Sequence, residues 1–264
     1  MPVIVSGQLT TSASYIGYDS LLAASDGTIT ASTEAEGYAA ENMGDWRPFT
    51  WWQPTATGDS WARVSFASAR SVDYFAVAAH NLSSSGSTIK LQYSTDGGSN
   101  WSDATAAAGG AQDRVISATF DAIAAADWRV LVNNPSTIAS VGIAAFGTKL
   151  DLTKAPKAGY SPAALSRRAE YTTNESSTGL FLGRSIERTG FPGSFEVDYL
   201  QPSWVRSKWE PFVDHAELRP FFYVWDSSLY SSEAVLAWTN GSIPPAQYDT
   251  VWSMKVSLKF NALR

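Results

Sequence analysis

In the first 148 residues, short stretches of alternating or consecutive apolar positions recur every 8 to 15 residues, with turn residues between them. The clearest are 61–66, 74–79, 88–93, 114–120, 128–132 and 140–146. Alternation with a period of two buries one face of a strand and wets the other. Strands at this spacing predict a β-sandwich or jelly roll. Asp96-Gly97-Gly98 lies between two strand-like pieces, and such residues supply the positive backbone angles of a tight hairpin turn. A second set of strand candidates follows at 169–173, 179–188, 194–200, 219–225, 234–238 and 252–260. The last alternates plainly, with Met254, Val256, Leu258 and Phe260 on one face and Lys255, Ser257, Lys259 and Asn261 on the other. One helical element is expected at 203–217, where Trp204, Val205, Trp209, Phe212 and Ala216 form an amphipathic set. Pro211 sits inside it and predicts two short turns rather than one straight helix.

The pattern divides the chain. Residues 1–27 form an arm or first strand with few apolar anchors, Ile16, Tyr18, Leu21 and Leu22 among them. Such an arm is expected to order against the second domain or a neighbouring chain. Residues 28–150 carry the jelly-roll pattern. At 151–162, Lys154, Pro156, Lys157, Gly159 and Pro162 break the strand rhythm, which marks a linker. Residues 163–264 form a β-rich assembly domain. The expected fold class is all-β: an N-terminal jelly-roll sandwich followed by a second β-sandwich domain with one short helical element.

Composition narrows the function classes. Of 264 residues, 44% are apolar, 13% aromatic and 17% charged, so the chain has enough apolar surface to fold. The absence of cysteine excludes a disulfide framework, a thiolate nucleophile and a sulfur-ligated zinc site. The first 148 residues hold 6 basic against 13 acidic side chains and the remainder 13 against 12, so −7 and +1 make up the formal charge of −6. An acidic balance disfavours a nucleic-acid partner. The N-terminal residues lack the basic and apolar regions of a signal peptide, and no apolar run is long enough to cross a bilayer. Synthesis in a cytoplasm, no signal-peptide secretion and no membrane insertion are therefore expected.

Chemistry-bearing motifs are sparse. Neither His80 nor His215 has a metal-binding or catalytic pattern beside it, and no phosphate-binding loop or nucleophile elbow occurs. Glu34, Glu36, Glu41 and Asp45 read as a solvated acidic surface. No catalytic residue, metal or cofactor is expected, and the chain is expected not to be an enzyme. The aromatic excess is the stronger signal: Trp46, Phe49, Trp51 and Trp52 crowd one short segment with Arg47. Neighbours in an extended segment point to opposite sides, so Trp51 and Trp52 cannot enter the same core. An outward indole suits a sugar ring or a pocket on a protein partner. Trp51, Trp46, Arg47 and Asn81 are the candidate contact residues.

Several of these segments together carry a resemblance. Residues 29–34, 38–45 and 49–52, followed by 59–66, 70–77, 89–101, 126–132 and 143–146, resemble in order the motifs of discoidin-type, galactose-binding-like domains. The resemblance spans about residues 28–148. It implies an eight-stranded jelly roll that often binds glycans or other surfaces through its loops, with Trp52 at the family's buried position and Trp51 outward. Gly44-Asp45 stands where the family has Asp-Gly, which puts a calcium or ligand role for that turn in doubt. Residues 179–184, 204–212, 219–226 and the final strand resemble structural proteins of the tailed-bacteriophage tail tip or baseplate. That resemblance implies a non-enzymatic virion protein, homo-oligomeric in a ring or collar, made in the host cytoplasm and contacting other tail or baseplate proteins. The alternative is a carbohydrate-binding module that recognises bacterial surface glycans.

Overall fold

The computed structural model describes residues 14–109, 112–134 and 136–264. The first part holds β1 (Tyr15–Gly17), β2 (Thr28–Ala31), β3 (Gly58–His80), β4 (Thr88–Ser94), β5 (Ser102–Asp103), β6 (Ile116–Asn134) and β7 (Val141–Gly147). The second holds β8 (Leu150–Asp151), β9 (Arg168–Glu175), β10 (Phe181–Leu200), β11 (Phe221–Val224), β12 (Val235–Thr239), β13 (Gln247–Tyr248) and β14 (Met254–Leu263). The fold is all-β, with two antiparallel sheets and, among the described residues, one helical stretch longer than two turns.

The first sheet runs β2-β3-β6-β4-β5, with β7 added beside β3. Two pairs of sequence candidates, 61–66 with 74–79 and 114–120 with 128–132, are single strands, because β3 and β6 pair along nearly their whole lengths. The register of that pair slips between Ser65 and Arg70, where the exposed stretch 67–71 lets both strands bend. The bend folds the sheet over its own core. Val64, Phe75, Val77, Leu91, Trp128, Val130, Phe146 and Trp52 fill it.

The second sheet runs β8-β1-β11-β12-β14-β10-β9, with β13 beside β14. The arm inserts β1 between β8 and β11, so residues from the start of the chain complete the later sheet. Residues 1–13 lie outside the described residues. One face of this sheet packs under the helical stretch 202–216, where Trp209 and Phe212 meet Phe195, Phe221, Tyr223 and Phe260. The helix does not break into two turns at Pro211. A π-helical segment, Val205–Trp209, precedes the proline and absorbs the missing N–H within one continuous helical run.

A third apolar cluster joins the two sheets. Tyr74, Ala76 and Ala78 of β3 and Ile143 and Ala145 of β7 face Phe222 and Val224 of β11 and Leu236 of β12. These strands are therefore covered on both sides, which is why β7 and β11 read as unbroken apolar runs. The approach is close: a Cβ placed on Gly17 would lie 2.5 Å from the Tyr74 ring.

Candidate functional site

The segment after β2 positions the sequence candidates. A 3-10 turn at Ala40–Gly44 ends at Asp45, whose carboxylate accepts from the Arg47 N–H at 2.7 Å and the Thr50 hydroxyl at 2.8 Å. That tight turn sets Trp46 at φ 62°, in the left-handed region. Trp52 is fully buried, and its indole N–H donates to the Thr33 carbonyl at 3.1 Å. Alternation then turns Trp51 the other way. It is half-buried and stacked on Tyr38, with ring centroids 5.0 Å apart. Its indole N–H points to Gln53 Oε1 at 3.4 Å, and its carbonyl accepts from the Asn42 amide at 3.0 Å.

The four candidate contact residues do not converge. Trp46, expected as a contact residue, is 4% exposed and belongs to the cluster between the sheets, edge-on to His215 at 5.1 Å and tilted against Phe222 at 6.0 Å. The left-handed backbone that ends the preceding turn directs it inward. Arg47 is exposed, but it borders an apolar groove with Pro48 and Phe49 and does not join Trp51. Asn81 is half-buried and accepts the Ser140 N–H at 2.7 Å through its side-chain oxygen, which fastens one loop to the next. Trp51 with Tyr38 is what remains of the constellation as a surface. The acidic residues are used locally: Glu34 accepts the Ala40 N–H at 2.9 Å, and Asp45 caps its turn.

A second surface combines aromatic and polar groups more fully. On the outer face of the first sheet, register aligns Asp59 with Asn133 and Thr88, and Trp61 with Leu131 and Lys90. The next row is Arg63, Arg129, Gln92 and Asp103, followed by Ser65, Asp127 and Ser94. Alternate residues of the same strands, Ala62, Val64, Leu91, Val130 and Val132, enter the core. The inward residues thus fix the display of the outward ones. The face measures roughly 20 Å by 15 Å from strand rise and spacing.

Hydrogen bonds hold this face rigid. Arg63 donates to Asp127 at 2.7 Å and to the Gly97 carbonyl at 3.0 Å. Arg129 donates through Nε to Gln92 Oε1 at 2.7 Å, and Gln92 in turn donates to Asp103 at 2.5 Å. Lys90 reaches the same carboxylate at 2.9 Å. Both guanidinium groups lie against the Trp101 ring, Arg129 at 4.2 Å and Arg63 at 5.6 Å from its centre. Trp101 is fixed from the other end by its N–H, which donates to the Gly98 carbonyl at 3.1 Å. Gly98 has to be glycine, since its φ is 88° and a Cβ there would lie 2.7 Å from an Arg63 nitrogen.

Electrostatics follow from these contacts. The hydrogen bond from Gln92, with help from Lys90, lowers the Asp103 pKa, so this carboxylate stays an acceptor. Burial pulls the Arg129 pKa down; Asp103 opposes that shift, and the neighbouring Arg63 cation adds to it. In the turn between β4 and β5, Asp96 accepts from the Asn100 backbone and side chain and from Ser94, which lowers its pKa to about 2. Trp61 and Trp101 are half-buried, and the Arg129 terminal nitrogens carry no ion pair among the described residues. The face therefore offers two indole surfaces beside guanidinium, ammonium, amide and carboxylate groups.

The two histidines lie away from this face. His80 accepts the Leu82 N–H at Nδ1, with Nε2 2.7 Å from the Arg114 carbonyl, and His215 Nε2 lies 2.9 Å from the Pro220 carbonyl. Among the described residues, no three His, Cys, Asp or Glu side chains group to hold a metal ion, and no helix is long and apolar enough to cross a membrane. None of the four sequence candidates lies on this sheet face, whose residues come together only through register. Asp59, Trp61, Arg63 and Ser65 are the outward positions of an alternating strand, as are Asp127, Arg129, Leu131 and Asn133, with Asp127 covered by its neighbours.

No family model and no curated protein matches the chain. Among solved structures, a GH29 fucosidase of Ruminococcus gnavus in complex with fucose is similar at 11% identity and a TM-score of 0.42, over 51% of this chain. This chain spans 28% of that enzyme's length. CpGH89CBM32-5 from Clostridium perfringens, in complex with GalNAc-β-1,3-galactose, is similar at 13% identity and a TM-score of 0.41, over 48% of this chain and 99% of its own. A chitosan-binding module of a chitosanase/glucanase from Paenibacillus sp. IK-5 is similar at 23% identity and a TM-score of 0.40, over 48% and 98% respectively. The structural neighbours thus include carbohydrate-binding modules, and the ligands named for them are their own.

Proposed function

We propose that this chain is a non-catalytic glycan-binding protein and that the outer face of the first sheet is its binding surface. The observation that carries the reading is the row Arg63–Arg129–Gln92–Asp103 beside the indoles of Trp61 and Trp101. A sugar presents C–H surface to an aromatic ring and hydroxyls to planar donors and acceptors, and both kinds of partner are fixed here before a ligand arrives. The phage tail-tip setting implied by the C-terminal resemblance draws no support from the fold or from the similar structures.

A second reading keeps glycan binding but places it at the Trp51–Tyr38 stack, where the loops of the sandwich meet. Binding of the full chain to an array of bacterial surface glycans separates the two. The sheet-face reading predicts that Trp61→Ala and Arg129→Ala each weaken binding by about tenfold or more, and that Trp51→Ala leaves it unchanged. The opposite pattern moves the site to the loops. Retention by none of the glycans removes both readings.

A further inference from the structure

The hairpin of β9 and the first half of β10 stands away from the rest of the fold. Residues 168–175 pair with 181–190, while β10 pairs with β14 only from Phe191 onward. Large apolar side chains cluster on this projection and stay exposed: Tyr171, Leu180, Phe181, Leu182 and Ile186, with Phe181 at 63%. Tyr171 and Ile186 face each other across the strands, and Arg184 lies over Tyr171 at 4.3 Å and Phe181 at 5.9 Å. An isolated two-stranded hairpin is marginally stable in water, and clustered exposed apolar groups mark an interaction surface.

The same chain carries an apolar groove. Trp46, Pro48, Phe49, Pro220, Trp238 and Leu263 line a groove of about 490 Å³ between the 46–49 turn and the edges of β12 and β14, and Arg47 stands at its border. The chain's own hairpin leaves it unfilled, since Phe49 on its lining is 70% exposed. The hairpin leaves the sheet at Phe191, opposite Ala262, and Ala262 also pairs with Ala237 of β12, so the groove lies about two strand spacings, roughly 10 Å, from the hairpin base. The tip is ten residues further out, roughly 33 Å along an extended strand. The tip also carries a carboxylate that can meet Arg47: Glu175 lies opposite Phe181, over whose ring Arg184 supplies a balancing cation, and neither Glu175 nor Arg47 makes an ion pair among the described residues.

We infer that the hairpin tip of one copy of this chain seats in the groove of a second copy, with Phe181 against Phe49 and Trp238 and with Glu175 near Arg47. Such a contact is heterologous, since tip and groove are different surfaces. It leaves one free tip and one free groove on every pair, and so continues until a ring closes or a filament forms.

Sedimentation of the full chain over a range of concentrations tests this, with circular dichroism to confirm that each variant is folded. The wild type forms oligomers beyond a dimer. Phe181→Asp and Phe49→Asp, both at exposed positions, each lose association by about tenfold or more. Mixing the two variants forms a 1:1 dimer and nothing larger, because one intact tip meets one intact groove. A wild type that stays monomeric at every concentration overturns the inference. So does a Phe49→Asp variant that assembles like the wild type, which would mean that hairpins pair with one another or with a different surface.

Discussion

Trp46 shows what one residue decides in this molecule. Its ring contacts His215 and Phe222 across the space between the two sheets, so its truncation opens a cavity where the sheets meet. Trp46→Ala is expected to cost about 3–5 kcal/mol in a denaturant titration, against less than about 1 kcal/mol for Trp51→Ala at its half-buried site. His215 adds a pH dependence to the same place. Burial lowers its pKa, with the Pro220 carbonyl opposing that shift. The folded protein therefore prefers the neutral ring, and stability is full above the unfolded value near pH 6.5 and declines as pH falls below it. Thermal unfolding between about pH 7 and 5 is expected to show this slope, and His215→Gln is expected to reduce it, leaving the part contributed by His80, whose pKa burial also lowers. At this scale the sequence was partly legible. Alternation at Trp51 and Trp52 requires one buried and one outward ring, which is what forms. The inward turn of Trp46 depends on a left-handed backbone and on Phe222, 176 positions further along, which no local pattern contains.

Elements are longer and more shared than their sequence signals. The exposed stretch 67–71 reads as a loop, yet β3 continues through it because β6 bends alongside with its own register shift. The arm is the clearest case of an element defined by others. β1 is three residues long and is held by β8 and β11 on its two sides. Gly17→Ala is therefore expected to destabilise the fold by about 1–3 kcal/mol through its clash with Tyr74, measurable as a lower denaturation midpoint at unchanged slope. The turn between β4 and β5 was legible from Asp96-Gly97-Gly98, and the structure adds what it does. By closing on itself it brings Trp101 over two arginines of the neighbouring strands. Asp96 is held at a pKa of about 2 by hydrogen bonds from Asn100 and Ser94. Its contribution is thus present above the unfolded value near pH 4 and is lost as pH falls toward 2, with Asp96→Asn removing that dependence from an acid titration of the fold.

At the scale of the whole molecule, three apolar clusters stack two sheets and one helical run into one body. Continuous apolar strands in the sequence marked where both faces are covered, as in β7 and β11. What the sequence concealed is the opposite case, a sheet face left open. The outward residues of β3, β4 and β6 come from positions 59–65, 88–94 and 127–133. Each set alone reads as the wet side of an ordinary strand, and only register brings Arg63, Arg129, Gln92 and Asp103 into one row. With the hairpin projecting from the second sheet, the molecule carries a polar-aromatic face and an apolar projection on different elements. Glycan binding and self-association are therefore expected to be separable: Phe181→Asp is expected to leave the intrinsic affinity of a single glycan site unchanged. Calorimetry with a short oligosaccharide that binds the wild type measures this per protomer.

The most direct test of the glycan-binding surface is to map the bound ligand by backbone amide chemical-shift perturbation on the assembly-deficient Phe181→Asp chain, titrated with that oligosaccharide. The expected result is a continuous patch over residues 61–63, 90–92, 101–103 and 127–131, with the Trp61 and Trp101 indole N–H signals shifted most. Perturbations confined to residues 38–53, or a saturable titration that leaves the sheet face unmoved, would contradict it.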